Sequence, residues 1–364
     1  MYPKMIRLGF TLVLLGLFLE VRAQNEVIEE GSICQAGDVI GQCVGIREFP
    51  KYLSLLGQRK HSDEDIRFLL LHQCGYTSTR KLLACRPVKL NDPGCGRQFS
   101  DRIVKGKLAG LDDYPWLALF QYQKPRDETG FHCGGALINI RYVLSAAHCF
   151  VGLRSGWKAI KVRLGEWDFE AEQDCIEDAG DLHCAPPVQE FELEAIIPHE
   201  DFSIRDLNKQ HDIALVCLSR DAIFTNYVKP ICIPEADSVS SEQLYSGVLL
   251  ASGWGKTENA SSSRYKLHTQ LRAVDYMDCR AAYAKALRIE LNTGQICAGG
   301  KNSQDTCNGD SGGPLMKEVA VQGRFYLAGV VSFGPRRCGD QLPGVYTAVE
   351  EYLPWIARNV LEFT

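Results

Sequence analysis

Beyond residue 103 the apolar residues of this chain fall into short β-branched or aromatic runs, separated by turn residues. They are Trp116–Tyr122, Ala136–Ala146, Ala159–Trp167, Asp212–Leu218, Gly247–Gly255, Phe325–Gly334 and Gly344–Val349. Many short runs without intervening helices predict an all-β domain, either a pair of barrels or a sandwich. The last stretch differs: Val349–Val360 predicts a closing helix with Pro354 near its first turns. Ahead of residue 103 the texture changes again. Residues 34–86 hold four cysteines and one helical stretch, Ser62–Leu71. Ser62 is placed to cap it, and acidic residues in the first turn favour the helix dipole. Residues 87–102 have linker composition, with Cys95 in the middle.

The amino terminus adds a targeting signal. Lys4 and Arg7 precede an apolar run from Leu8 to Leu19, which ends at Val21-Arg22-Ala23. That run is too short to span a bilayer and has the order of a signal peptide, so residues 1–23 are expected to be removed and the rest secreted. Fifteen cysteines fit an oxidising compartment. There is no Cys-x-x-Cys pair to suggest a metal, and the odd count leaves one thiol unpaired or joined to another chain. A net charge of −5 argues against nucleic acid or an anionic membrane as the main partner. Asn259-Ala260-Ser261 is a glycosylation acceptor in a serine-rich loop.

Three separated segments carry chemistry: Ser145-Ala146-Ala147-His148-Cys149, His211-Asp212-Ile213-Ala214-Leu215, and Gly309-Asp310-Ser311-Gly312-Gly313-Pro314-Leu315. A serine hydroxyl is a poor nucleophile at neutral pH and needs a base within hydrogen-bond reach. A lone histidine before a cysteine is usually structural, and an aspartate opening a strand is usually a turn residue. The seven-residue serine run is another matter, since chance gives it on the order of once in a billion positions. In this order the three segments resemble the signatures of the chymotrypsin-like serine proteases. The resemblance implies a trypsin-like double six-stranded β-barrel and the triad His148, Asp212 and Ser311. It implies an oxyanion hole from the Gly309 and Ser311 N–H groups.

The same resemblance places Asp305 at the floor of the specificity pocket and Gly334 and Gly344 in its walls, which implies cleavage after arginine or lysine. Arg102-Ile103-Val104-Lys105-Gly106 resembles the activation junction, so a cut after Arg102 frees an Ile103 ammonium to pair with Asp310. The spacing of Cys34, Cys43, Cys74 and Cys85 resembles a clip domain, the small knot ahead of many arthropod serine proteases. The usual knot has three bridges. Phe49 and Arg86 occupy the positions of one missing pair. The resemblance implies the bridges Cys34–Cys85, Cys43–Cys74, Cys95–Cys232, Cys133–Cys149, Cys175–Cys184, Cys279–Cys297 and Cys307–Cys338. Cys217 is left over on an apolar strand, where a buried inert thiol outweighs a reactive one. Glu166, Asp168 and Asp174, with the Ala171 carbonyl, resemble a calcium loop, against the plainer reading of a solvated acidic loop.

The expected organisation is a signal peptide (1–23), clip domain (34–86), linker with activation site (87–102) and protease domain (103–364). The expected function is a secreted zymogen in an extracellular cascade of arthropod haemolymph. Prophenoloxidase and a Toll-ligand precursor are the candidate substrates, and a dorsoventral developmental cascade is an alternative. An upstream trypsin-like protease would activate it and serpins would inhibit it. A non-catalytic adaptor usually lacks the serine that stands here at Ser311. A digestive trypsin needs neither clip module nor tether.

Overall fold

The computed structural model describes residues 27–36, 39–98, 108–178, 180–235, 238–255, 263–299, 311–335 and 342–362. Arg102, Ile103, Asn259, Asp305, Cys307, Gly309, Asp310 and Cys338 lie outside them. The chain divides into two units at Arg86.

In the amino-terminal unit, strands β1 (Ile33–Ala36), β2 (Val39–Gly45), β3 (Gln73–Tyr76) and β4 (Leu82–Pro87) form one sheet in the order β1-β2-β4-β3. Helices α1 (Pro50–Leu56) and α2 (Asp63–Leu71) lie between β2 and β3 in sequence. The Ser62 hydroxyl caps α2 by accepting from Asp65 N–H, and the Asp65 carboxylate accepts from Ser62 N–H in return, a reciprocal box. α1 escapes the sequence reading, since it is only seven residues long. The core of this unit is largely sulfur: Cys43, Cys74 and Cys85 pack with Ala36 and Leu83. Cys34–Cys85 and Cys43–Cys74 both form. In the missing third bridge's place, Phe49 packs against Tyr52, Phe68 and His72 at ring separations of 6.0, 5.9 and 5.8 Å. Arg86 donates to the carbonyl of Glu48, the residue before Phe49, at 3.3 Å.

The second unit contains two closed six-stranded antiparallel barrels. The first uses β5 (Leu117–Gln123), β6 (Thr129–Leu137), β7 (Tyr142–Ser145), β8 (Lys158–Leu164), β11 (Gln189–Pro198) and β12 (Ala214–Leu218), in the order β11-β12-β7-β6-β5-β8. Between β8 and β11 stands a hairpin of β9 (Cys175–Asp178) and β10 (Asp181–Cys184), closed by Cys175–Cys184. After the short α3 (Ser241–Leu244), the second barrel uses β13 (Val248–Gly253), β14 (Leu267–Val274), β15 (Gln295–Ala298), β16 (Pro314–Val319), β17 (Arg324–Phe333) and β18 (Gly344–Ala348). Their order is β13-β14-β15-β18-β17-β16. Closure leaves neither barrel with an open edge. The closing helix α5 runs Leu353–Glu362 after a 3-10 turn at Val349–Tyr352.

Two features depart from the sequence reading. Helix α4 (Tyr276–Leu287) stands between β14 and β15, capped by the Asp275 carboxylate, which accepts from the N–H groups of Met277 and Asp278. It buries only Cys279 and Tyr283, so its apolar periodicity is weak. The stretch after Arg86, which has linker composition, is strapped to the catalytic unit instead. Asn91 exchanges hydrogen bonds with the backbone of Ile233, Leu90 N–H donates to Glu235, and Gly96 pairs with Pro230 and Phe325. Gly96 has φ +67°, and a Cβ there would meet the Phe325 carbonyl at 2.3 Å, so only glycine fits. Cys95 is fully buried and bridges Cys232. Cys133–Cys149 and Cys279–Cys297 also form, and Cys217 is a buried free thiol.

Candidate active site

The barrels supply the site from three loops that each leave or enter a strand. β7 ends in a 3-10 turn, Ala147–Cys149, which holds His148. Asp212 stands two residues ahead of β12, and Ser311 three residues ahead of β16. Asp212 is fully buried, and a buried carboxylate is costly unless every oxygen finds donors. One oxygen accepts from His148 N–H at 2.9 Å. The other faces His148 Nδ1 at 2.7 Å and accepts from the Ser332 hydroxyl. Burial alone would raise the Asp212 carboxyl. The His148 charge, the two His148 hydrogen bonds and Ser332 outweigh it, so the net shift is downward and the group is ionised. An ionised carboxylate only accepts, so Nδ1 carries the proton and Nε2 keeps its lone pair.

Ser311 is held from the first barrel: Gly134 N–H on β6 donates to its carbonyl at 2.8 Å. Gly312 follows at φ +78°, where a Cβ would lie 2.3 Å from the Ser145 hydroxyl and 2.6 Å from the Gly134 carbonyl. The glycine after the serine is therefore a packing requirement, and it lets the two barrels close on the serine. Among the described residues no hydrogen bond joins Ser311 to His148 in this uncut chain. A Cβ at Gly334 would stand 3.7 Å from Gly344 Cα, so two bare backbones face one another.

Several supporting groups were invisible in the sequence. Ser332 lies 120 residues from the carboxylate it serves, and Thr347, whose hydroxyl donates to the Asp212 carbonyl, lies 135 away. His211, beside Asp212, is in the left-handed region at φ +57°. Its ring stacks on His199 at 4.8 Å, and its Nδ1 lies 3.2 Å from the Tyr352 hydroxyl. Ser332 on β17 and Thr347 on β18 belong to the second barrel, so only its packing against the first brings them to Asp212.

The acidic loop is bound internally by arginines and main-chain N–H groups. Glu166, Asp168 and Asp174 are all buried. Arg264 grips Asp168 with Nε and Nη2 at 2.5 and 2.6 Å, and Arg163 reaches Glu166 at 3.0 Å. Both Asp174 oxygens accept main-chain N–H groups, from Trp167 and Asp168 at 2.8 and 3.0 Å. Glu166 and Asp174 share the Trp167 N–H, and burial together with the Asp174 charge raises the Glu166 carboxyl. With Arg264 on both Asp168 oxygens and Arg163 on Glu166, a calcium ion would have to displace these guanidinium groups to use them.

Two closed barrels, with an aspartate–histidine pair in one and a clamped serine entering the other, define a chymotrypsin-like serine protease. The Trypsin family model matches residues 103–356, and the model for the regulatory CLIP domain of proteinases matches residues 34–85. The chain belongs to the clip-domain serine proteases of the trypsin family. It is 40% identical to CLIP domain-containing serine protease B4 of Anopheles gambiae, over 88% of this chain and 89% of that one. It is 36% identical to Melanization protease 1 of Drosophila melanogaster, over 88% and 90%. Among solved structures, the Drosophila Grass clip serine protease of the Toll pathway superposes with TM-score 0.67 at 33% identity, covering 91% of this chain and 98% of that one.

Proposed function

We propose that the chain is the secreted zymogen of a trypsin-like serine endopeptidase acting in an extracellular cascade. The observation that carries this reading is the ionised Asp212 fixing the His148 tautomer, with Ser311 present and clamped by Gly134. In the active enzyme His148 Nε2 takes the Ser311 proton as Oγ attacks the scissile carbonyl, and the Gly309 and Ser311 N–H groups hold the oxyanion. His148 then passes that proton to the leaving amine, and water repeats the sequence on the acyl-enzyme. Asp305 selects arginine or lysine, and the bare backbones of Gly334 and Gly344 leave room for the long side chain. A cut after Arg102 releases Ile103 to pair with Asp310 and set the oxyanion loop.

The relatives that act in melanisation and the Toll pathway favour an immune role in haemolymph, with prophenoloxidase or a Toll-ligand precursor as substrate. An upstream trypsin-like protease would activate the enzyme and serpins would end its action. After activation the enzyme should hydrolyse a small arginine amide, and Arg102→Gln should give an inert zymogen. Full activity in that variant would overturn the switch, while no turnover by the cut wild-type chain would favour the adaptor reading.

A further inference from the structure

Beside the nucleophile, on the first barrel, stands a basic and aromatic wall that the triad does not use. His132 on β6 precedes Cys133, whose sulfur is bonded to Cys149 beside His148. Its ring packs on Trp157 at 4.7 Å and edge-on to Tyr122 at 5.6 Å. Lys124 Nζ sits 5.1 Å over the Trp157 ring and the Arg154 guanidinium 5.8 Å from it. A Cβ built on Gly130 would lie 2.7 Å from Lys124 Nζ and 3.5 Å from His132 Nε2, so ammonium and imidazole border the same small space. His132 Nε2 is buried and has no hydrogen-bond partner. Neither Lys124 nor Arg154 forms an ion pair among the described residues. Burial, then the Lys124 and Arg154 charges, hold His132 below its ordinary range and therefore neutral. Two solvent-reaching cations with no counter-charge among the described residues form an anion-seeking surface beside Trp157.

The reaction says which part of a substrate meets it. His148 gives its proton to the leaving amine, so the residues after the scissile bond run on the His148 side, past the Cys133–Cys149 bridge. Gly134 touches Ser311 and His132 lies two residues back along β6, about 6.6 Å, which an extended substrate covers in two residues. We infer that Lys124 and Arg154, arrayed around Trp157 and the buried His132, select an acidic side chain at the second or third residue after the cut, and so help to choose the protein substrate. This inference rests on the protease reading above.

The test uses the full chain, cut after Arg102, and quenched fluorescent peptides with arginine before the cut. Glutamate or lysine is placed at each of the first four positions after it. The glutamate peptides should be preferred about tenfold in kcat/KM at the second or third position only. That ratio should fall toward one as salt rises, and it should invert in Lys124→Glu/Arg154→Glu. The salt series needs only the wild-type chain, so it decides the matter even if the variant does not fold. Equal rates for the two peptide sets at both positions overturn the inference alone. A failure to cleave any arginine peptide overturns the protease reading, and this one with it.

Discussion

Asp212 illustrates how much of a catalytic group's behaviour comes from residues that never touch the substrate. Its carboxylate accepts from the Ser332 hydroxyl as well as from His148, and the Thr347 hydroxyl holds its carbonyl. A hydrogen bond to a charged group contributes about 1.5–3 kcal/mol. Ser332→Ala should therefore lower kcat for an arginine amide by roughly tenfold or more, with KM little changed, because the loss falls on the imidazolium-bearing transition state. An equal fall in affinity, or no fall in rate, would show that Ser332 only packs. His148, Asp212 and Ser311 were legible because each sits in a local motif with a fixed neighbour set. Ser332 and Thr347 were not, because they lie 120 and 135 residues from Asp212 and only the packing of the second barrel against the first joins them.

Elements tell a similar story about local and distant signals. The strands of both barrels follow from short apolar runs, and α2 from its cap and acidic first turn. Helix α4 shows the limit of periodicity, since only two of its side chains are buried. In the amino-terminal unit, Phe49 and Arg86 do with aromatic packing and a backbone hydrogen bond what a third bridge would do covalently. Removing the half-buried Phe49 ring should cost about 1–3 kcal/mol, and Phe49→Ala should make residues 34–86 of the full chain markedly easier to proteolyse. Unchanged digestion would mean that the two sulfur bridges suffice. The acidic loop between β8 and β9 yields a second expectation. With Arg264 chelating Asp168, calcium should give no heat and no shift in melting temperature. A stabilisation of several degrees by millimolar calcium would show that the ion displaces the arginine.

At the scale of the whole molecule, one charge buried within the catalytic unit affects stability directly. Lys266 is fully buried, with Nζ donating to the Leu111 and Asp113 carbonyls at 3.0 and 2.7 Å. Burial pushes its ammonium down to about 8, against the partial support of Asp113 and Asp112. Between that value and the unfolded value of about 10.4 the unfolded chain holds a proton that the folded chain does not. This group's contribution to stability is thus present above the unfolded pKa and lost as pH falls through about 8, a change of about 3 kcal/mol. Replacing it by Lys266→Met removes that slope. Urea melts at pH 7 and pH 10 should show the variant gaining on the wild type most at pH 7, and an equal gap at both would refute the assignment.

The strap from Leu90 to Gly96 also bears on where proteolysis happens. Its bridge between Cys95 and Cys232 is shut away from solvent, and small thiols reach a sealed sulfur pair only when the surrounding fold opens. The amino-terminal module is therefore cargo that the catalytic unit cannot set down during its working life. Any surface that captured the module would hold the catalytic unit beside it as well, and a soluble form of that unit would appear only after reduction or a second cut.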